Sequence, residues 1–431
     1  MEFRVFTILT LLLGGLNYYL YRKAKRLVCG WRSGQGAERW VRALRIGLLA
    51  INTPYLVMLL IWLAGGQLYQ VPELILRVFF YPFFAWMAML LALMFIAFPA
   101  ELLAGVAHGI RRLFPRRMPA TPQMLARRNF LATAAAVVPA TLFAVFAKGV
   151  YAFPDLEISP LVRIPVKDLP RAFDGLTITQ LSDLHAGAFI REAELARAVD
   201  LANGLRSDLV VITGDILDGS LELLPVAQGQ LSRLRAPLGV YGILGNHDYY
   251  ADSRRERDGY PGCVRIMEGM EQAGVHMLRS QRAAVRAGND ELLLIGLDWT
   301  GMVRGNPNLY VPSATRAAIV GVLEGCQGDA PRILLAHHPH TFYEASEFRI
   351  ALTLAGHTHG GGQVVIAEHN GHPLALGSAV FRYVSGLYRE GSHYLYVNRG
   401  VGFVGLPIRI NCPPEISRFQ LVRLQAVDRR L

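Results

Sequence analysis

The stretch "SDLVVITGDILDG" (Ser207–Gly219) runs from a polar start through five apolar or β-branched residues into a Gly-Asp turn. An apolar run of that length bounded by turn-forming residues reads as a buried strand. Asp215 then stands at its carboxyl end. The same grammar recurs in "GLTITQLSDLHAG" (Gly175–Gly187), "GVYGILGNHD" (Gly239–Asp248), "ELLLIGLDW" (Glu291–Trp299), "PRILLAHHPH" (Pro331–His340), "IALTLAGHTHG" (Ile350–Gly360) and "SHYLYVNRG" (Ser392–Gly400). Between the first of these lie segments such as "REAELARAVDLANGLR" (Arg191–Arg206), whose apolar positions return at helical spacing. Alternating strands and helices predict an α/β layered domain. In open α/β sheets the reactive groups collect beyond the carboxyl ends of the strands. Here almost every chemically interesting Asp, Asn and His stands just after an apolar run.

The N-terminal third has a different character. Hydrophobic residues make up 52% of the 431-residue chain, more than a soluble globular protein carries. Four apolar runs account for it: Val5–Tyr21, Ile46–Ala64, Val78–Ala100 and Phe130–Ala147. Each has the roughly 17–25 residues that cross a bilayer core, so four transmembrane helices are expected in a membrane domain over residues 1–150, followed by an outer domain over 151–431. The net charge of +11 divides with the domains: residues 1–150 hold 17 Lys and Arg against 4 Asp and Glu, and the remainder 27 against 29. The basic residues crowd into the loops after the first run and before the fourth. The positive-inside rule places those loops in the cytoplasm and everything after Ala147 outside. No nucleic acid is expected as a partner, because the outer domain lacks the basic footprint.

Arg127-Arg128 precede Asn129-Phe130-Leu131 and an alanine-rich apolar stretch. The pattern resembles a bacterial twin-arginine export signal placed internally, and reads equally as the positive flank of a spanning helix. Both place the outer domain on the same side. The four cysteines, Cys29, Cys263, Cys326 and Cys412, have no paired close spacing, so no thiolate zinc motif is present.

The stretch "AGHTHGGG" (Ala355–Gly362) places two histidines one residue apart on a glycine-flanked loop, where both rings can converge on one region. With the other strand-end residues they make a donor set of carboxylate, amide oxygen and imidazole without thiolate. Such a set suits Mn, Fe or Zn. There are too many donors for one ion, and two divalent metal ions sharing a carboxylate, as in a two-metal hydrolytic site, fit the number.

The ordered motifs D-x-H (Asp183–His185), G-D-x-x-D (Gly214–Asp218), G-N-H-D (Gly245–Asp248), a lone His337 and G-H-x-H (Gly356–His359) resemble those of the calcineurin-like metallophosphoesterases, over about Gly175 to Glu415. The likeness is to the small bacterial branch with a GHTHGG motif. It implies a four-layer α/β/β/α sandwich. It also implies Asp183, His185, Asp215 and His359 on one metal and Asp215, Asn246, His337 and His357 on the other, with Asp215 bridging. The reaction implied is hydrolysis of a phosphoester by a metal-bridging hydroxide. His247 would protonate the leaving oxygen or stabilise the transition state, and Asp218 would orient His247. Asp218 also reads as a turn residue, Asp248 as either an orienting group or a loop cap, and His338 as an alternative to His337. Gly219 stands where many relatives carry arginine, and "GHTHGGGQ" has one extra glycine, which shifts Gln363.

The expectation is thus a multi-pass phosphoesterase of a bacterial cytoplasmic membrane with its active domain outside. A lipid-linked diester or pyrophosphate is the alternative substrate. A transporter or sensor with an appended phosphoesterase is the alternative from another class, and the spans argue against it. None carries an ionisable residue well inside, Arg77 and Glu101 being at edges.

Overall fold

The computed structural model describes residues 2–31, 34–113, 122–151, 156–251, 260–299, 311–326, 328–369 and 372–424. It divides into two compact units, Met1–Ala152 and Phe153–Leu431.

In the first unit the expected apolar runs lie on long helices, α1 (Glu2–Trp31), α2 (Gly34–Leu63), α3 (Tyr81–Leu113) and α4 (Pro122–Tyr151), except that Ala64 lies just past α2 and Val78–Phe80 fall in the π-helical turn Leu76–Phe80 ahead of α3. The Asn17 and Asn52 amides exchange hydrogen bonds at 3.1 and 3.0 Å, and Trp86 Nε1 donates to Asn17 Oδ1 at 3.1 Å. These bonds tie α1, α2 and α3 together, and each asparagine amide also donates to a carbonyl of its own helix, Leu13 O at 2.9 Å and Leu48 O at 2.7 Å. Of the four expected spans, two are long and apolar enough among the described residues, Gly34–Leu63 and Glu73–Leu103; the apolar part of α4, Ala136–Tyr151, is shorter. Arg127 and Arg128 lie in the first half of α4.

The second unit grows from the two-residue period of its strands. In β4 (Leu209–Thr213), Leu209 and Val211 face one core while Val210 and Ile212 face another. In β8 (Asp290–Gly296), Leu292 and Leu294 join Leu209 and Val211, while Leu293 and Ile295 turn the opposite way. The shared core therefore lies between two sheets. One sheet has the order β1-β15-β3-β4-β5-β6, with β2 also on β15; the other runs β13-β14-β10-β9-β8-β7. Their remaining strands are β1 (Glu157–Ile158), β2 (Val162–Val166), β3 (Thr177–Leu181), β5 (Val240–Ile243), β6 (Val275–Met277), β7 (Gln281–Ala287), β9 (Arg332–Leu335), β10 (Ile350–Ala355), β13 (Gly386–Glu390), β14 (His393–Val397) and β15 (Glu415–Arg423). A separate hairpin pairs β11 (Val365–His369) with β12 (His372–Ala375).

Helices α5 (Glu192–Gly204), α6 (Leu224–Leu231) and α8 (Pro261–Gln272) bury Leu195, Val199, Leu231 and Ile266 against the outer face of the first sheet. A short α7 (Asn246–Tyr250) precedes α8. Helix α9 (Pro312–Leu323) packs Ile319 and Val322 on the outer face of the second sheet. The layers are thus α/β/β/α. Strands β3, β4 and β5 are mutually parallel, as are β8, β9, β10 and β14, so within each sheet these carboxyl ends share one edge.

Leu352 has no exposed surface in the inter-sheet core. Leu352→Ala is expected to cost about 2–5 kcal/mol and to lower the thermal midpoint of the second unit. Val320→Ala, on an exposed position of α9, should change stability by less than about 0.5 kcal/mol in the same scan.

Candidate active site

Five strand ends deliver the predicted donors. Asp183 and His185 follow β3, Asp215 follows β4, Asn246 follows β5, His337 follows β9, and His357 and His359 follow β10. The backbone at five of these is in the left-handed region that L residues avoid: Asp183 (φ 49°), His185 (φ 47°), Asp215 (φ 52°), His357 (φ 71°) and His359 (φ 48°). Such a conformation costs of order 1–3 kcal/mol per residue and persists only where the surroundings over-determine it. The surroundings here are backbone bonds between loops. Asp183 N–H donates to Gly214 O at 3.0 Å, His185 N–H to Asp215 O at 2.9 Å, and Gly402 N–H to Asp183 O at 2.7 Å. The turn after each strand is thereby stitched to the next.

The donors converge. Among the described residues, three sets place one ligand atom per residue within 4.8 Å of one another: Asp183, His185 and His359; His185, Asp215 and His247; Asp183, Asp215 and His337. Asp183 and Asp215 each occur in two sets. His185 does as well, so the overlaps join the donors of the three sets into one array. His359 Nε2 lies 3.3 Å from Asp183 Oδ1 and 3.0 Å from His185 Nε2. His337 Nε2 lies 3.2 Å from Asp215 Oδ2. Its Nδ1 sits 2.7 Å from Thr213 O, which fixes the proton there and turns Nε2 inward. His357 and Asn246 stand outside the three sets but beside each other, with His357 Nδ1 3.0 Å from Asn246 Oδ1. The two histidines of the glycine loop thus face different partners, His359 the Asp183 side and His357 the Asn246 side.

Asp218 Oδ1 lies 3.2 Å from His247 Nδ1 and 3.5 Å from His185 Nδ1. It touches two predicted site residues, beyond a turn role. Asp248 is fully buried and accepts from the amides of Gly245 (2.9 Å), Leu217 (3.0 Å) and Ile216 (3.3 Å). It ties the β4 and β5 loops together, and its place is that of a loop brace. His338 Nδ1 accepts from the His340 amide at 3.2 Å, so that nitrogen faces away from the carboxylates and His337 holds the inward position.

Some contacts have no signal in the motifs. Ser182 Oγ donates to Asp183 Oδ2 at 2.6 Å, and the His357 amide lies 3.0 and 3.1 Å from the two Asp183 oxygens. The buried Trp299 ring lies 5.1 Å from His357 and 5.4 Å from His337. Trp299 stands just past a strand end like the other site residues, and that position was the available clue. Gln363, beyond the extra glycine, bonds Val404 N, Val404 O and Leu406 O. It serves as a strut for the neighbouring loop. All four cysteines are free thiols.

The electrostatics suit a cation. Burial raises the pKa of Asp183, but the His359 and His337 imidazoles outweigh it and hold the carboxyl below its usual range. Asp215 is likewise held well below, against burial, chiefly by His337 and His247. Burial pushes His357 down to about 3 and His359 to about 4. Ionised carboxylates and neutral imidazoles are the forms a metal takes up. His337 is pushed up to about 9, since Asp215 overcomes its burial. Its Nε2 points between two buried carboxylates, 3.2 Å from Asp215 Oδ2 and 3.9 Å from Asp183 Oδ1. An inward ring nitrogen flanked by two carboxylates is a donor set that fits a divalent metal ion.

The sequence comparisons agree with this geometry. Residues 176–361 match the family model described as calcineurin-like phosphoesterase. A Danio rerio transmembrane protein with metallophosphoesterase domain is 29% identical over 429 residues, covering 97% of this chain and 89% of its own. The Bacillus subtilis metallophosphoesterase YkuE is 30% identical over 260 residues, 59% of this chain and 81% of its own. The Escherichia coli phosphodiesterase YaeI is 27% identical over 304 residues, 69% of this chain and its full length.

A Cβ on Gly356 would stand 2.0 Å from Ser182 Oγ and 2.2 Å from Asp183 Oδ2. Gly356→Ala should therefore displace Asp183 and reduce bound divalent metal at least tenfold by elemental analysis after dialysis. Gly321→Ala, at a helical position with open space, should leave the content unchanged.

Proposed function

Because the chain belongs to the calcineurin-like phosphoesterases, metal-dependent hydrolases of phosphoric esters, we propose that it is a membrane-anchored phosphoesterase with two divalent ions (Mn, Fe or Zn) side by side. One observation carries this: the three donor sets overlap through Asp183, His185 and Asp215, so the donors form an extended array larger than a single ion needs. Asp183, His185, Asp215 and His359 would hold one ion, and Asp215, Asn246, His337 and His357 the other. Bound there, the ions would acidify water and offset charge on the phosphoryl oxygens.

The remaining chemistry falls to the chain. Water's oxygen joins phosphorus as the bond to the leaving oxygen breaks, and the leaving oxygen takes a proton. His247 is half-buried at the rim, with Nδ1 engaged by Asp218. Nε2 is then the nitrogen left to deliver that proton. Burial opposes the charge on His247, but Asp215 and Asp218 overcome it and lift its pKa to about 9, which keeps the ring protonated near neutrality. The full-length match to a relative named phosphodiesterase favours a diester substrate over a monoester.

The first unit would hold the enzyme in a bacterial cytoplasmic membrane as a multi-pass anchor. Two apolar helices of spanning length and a transmembrane relative that matches 97% of this chain support that placement. With α1 and α4 also spanning, the basic loops face the cytoplasm and the catalytic unit lies outside. A reporter that works only in the cytoplasm, fused after Leu431, should stay inactive; an active fusion would reverse the topology.

Purified chain stripped by chelation should be inactive toward a chromogenic phosphodiester and recover with Mn, Zn or Fe. Asp215→Asn should abolish the recovered rate. His247→Ala should lower kcat by about 10²–10⁴-fold, the usual worth of a positioned acid. Full activity in Asp215→Asn would remove the carboxylate from the reaction.

A further inference from the structure

The exposed apolar side chains of the catalytic unit concentrate in one short segment. Among its described residues ten large apolar side chains are exposed, and five of them fall between positions 366 and 387: Ile366 (64%), Leu374 (54%), Leu376 (66%), Val380 (74%) and Leu387 (38%). The first two are on the β11–β12 hairpin, where Val365 faces inward and Ile366 outward as the strand period requires. Leu376 and Val380 lie in and beside the tight turn Leu376–Ala379. A concentration of exposed apolar side chains in one segment is the kind of surface that marks an interaction site.

This segment is attached to the donor array. The turn packs onto the histidine loop, where a Cβ on Gly361 would stand 2.7 Å from Ala375 Cβ, and one on Gly377 would stand 2.6 Å from Gly361 Cα. The next residue after Val380 is Phe381, whose ring lies 5.5 Å from His357 and 5.9 Å from His338. Phe381, His338 and Trp299 thus form an aromatic wall from the apolar segment to the side of the array where His357 and Asn246 stand. Beside the wall Arg382 is exposed, and its guanidinium lies over the rings of Tyr343 (5.5 Å) and Tyr383 (5.6 Å). A cation held on aromatic faces next to exposed aliphatic side chains is the composition of a surface at a bilayer interface. The charge complements an anionic headgroup.

We infer that the β11–β12 hairpin and the turn after it form a lipid-contacting lip of the active site, and that the substrate is a phosphoester carried by a lipid. The acyl chains rest on Leu374, Leu376 and Val380, the aromatic wall guides the headgroup, and the phosphate reaches the donor array. This rests on the phosphoesterase reading above and narrows its substrate class.

The test uses the full chain in vesicles of equal parts phosphatidylglycerol and phosphatidylethanolamine, with two independent readouts. In a Cys29→Ser, Cys326→Ser background, Val380→Cys carrying an environment-sensitive fluorophore should emit to the blue and be quenched by brominated acyl chains. The same label at Val320→Cys should be quenched far less. Separately, Leu376→Glu with Val380→Glu should lower hydrolysis of vesicle phospholipid at least tenfold relative to that of a soluble chromogenic diester, and Val320→Glu should leave the ratio within twofold. A label at 380 that is blind to the acyl quencher overturns the lip. So does a ratio that the glutamates do not move. Blue emission that depends on protein concentration, without acyl quenching, would assign the surface to a second copy of the chain and also overturn it. If neither substrate is hydrolysed the phosphoesterase reading fails, and the fluorescence still decides the lip.

Discussion

Asp183 and Asp215 are carboxylates with almost no exposed surface, packed into one network with five imidazoles. Buried charge of this kind costs several kcal/mol per ion unless it is compensated nearby. The imidazoles compensate in part, and the ring charge is claimed unevenly: His337 is drawn toward the protonated form while His357 and His359 are driven to the neutral one. Divalent ions would complete the balance and release the His337 proton. Most of the architecture around the site can be read as what keeps this unfavourable cluster assembled. Without such support the carboxylates would protonate or swing to solvent.

That support combines backbone bonds between loops with a few buried side chains that bind backbone groups. Five donors sit at positive φ, and each such residue gives up stability that the two packed sheets must return. The inter-sheet core provides the rigid base, since Ile178, Leu209, Leu335 and Leu354 from strands that carry donors are buried in one cluster. The loops then brace each other across the edge. Asp248 holds the amides of 216, 217 and 245, and Arg409, buried, gathers the carbonyls of Arg399, Gly400, Gly402 and Cys412. Residues 401 and 402 in turn donate to the Ser182 and Asp183 carbonyls. A small set of strained turns is thereby locked from both sides, which is how a site is pre-organised for charge.

Much of this was legible in the chain because the information is local. Each donor follows its strand by only two to four residues, so an apolar run and the polar cluster after it identify both the element and its functional end. The α/β class, the donor residues and the glycine-bound pairing of His357 with His359 came from that short-range pattern. What was not legible depends on contacts distant in sequence. The return of β15 beside β3, the wall made by Trp299, and the bond from Gly402 to the Asp183 carbonyl join segments that no periodicity connects. Asp248 read two ways because a buried carboxylate facing amides and one facing a ligand look alike in a sequence. The membrane unit divided the same way: four apolar runs do form long helices, yet only two meet the length and composition of a span among the described residues.

The central proposal is that two ions sit side by side, sharing the Asp215 carboxylate. Electron paramagnetic resonance of the chain loaded with Mn tests it most directly, because neighbouring ions bridged by a carboxylate couple their spins. The account predicts about two Mn per chain with an exchange-coupled spectrum, and conversion to an uncoupled one in Asp215→Asn. One Mn per chain with an isolated six-line signal in the wild type would contradict it.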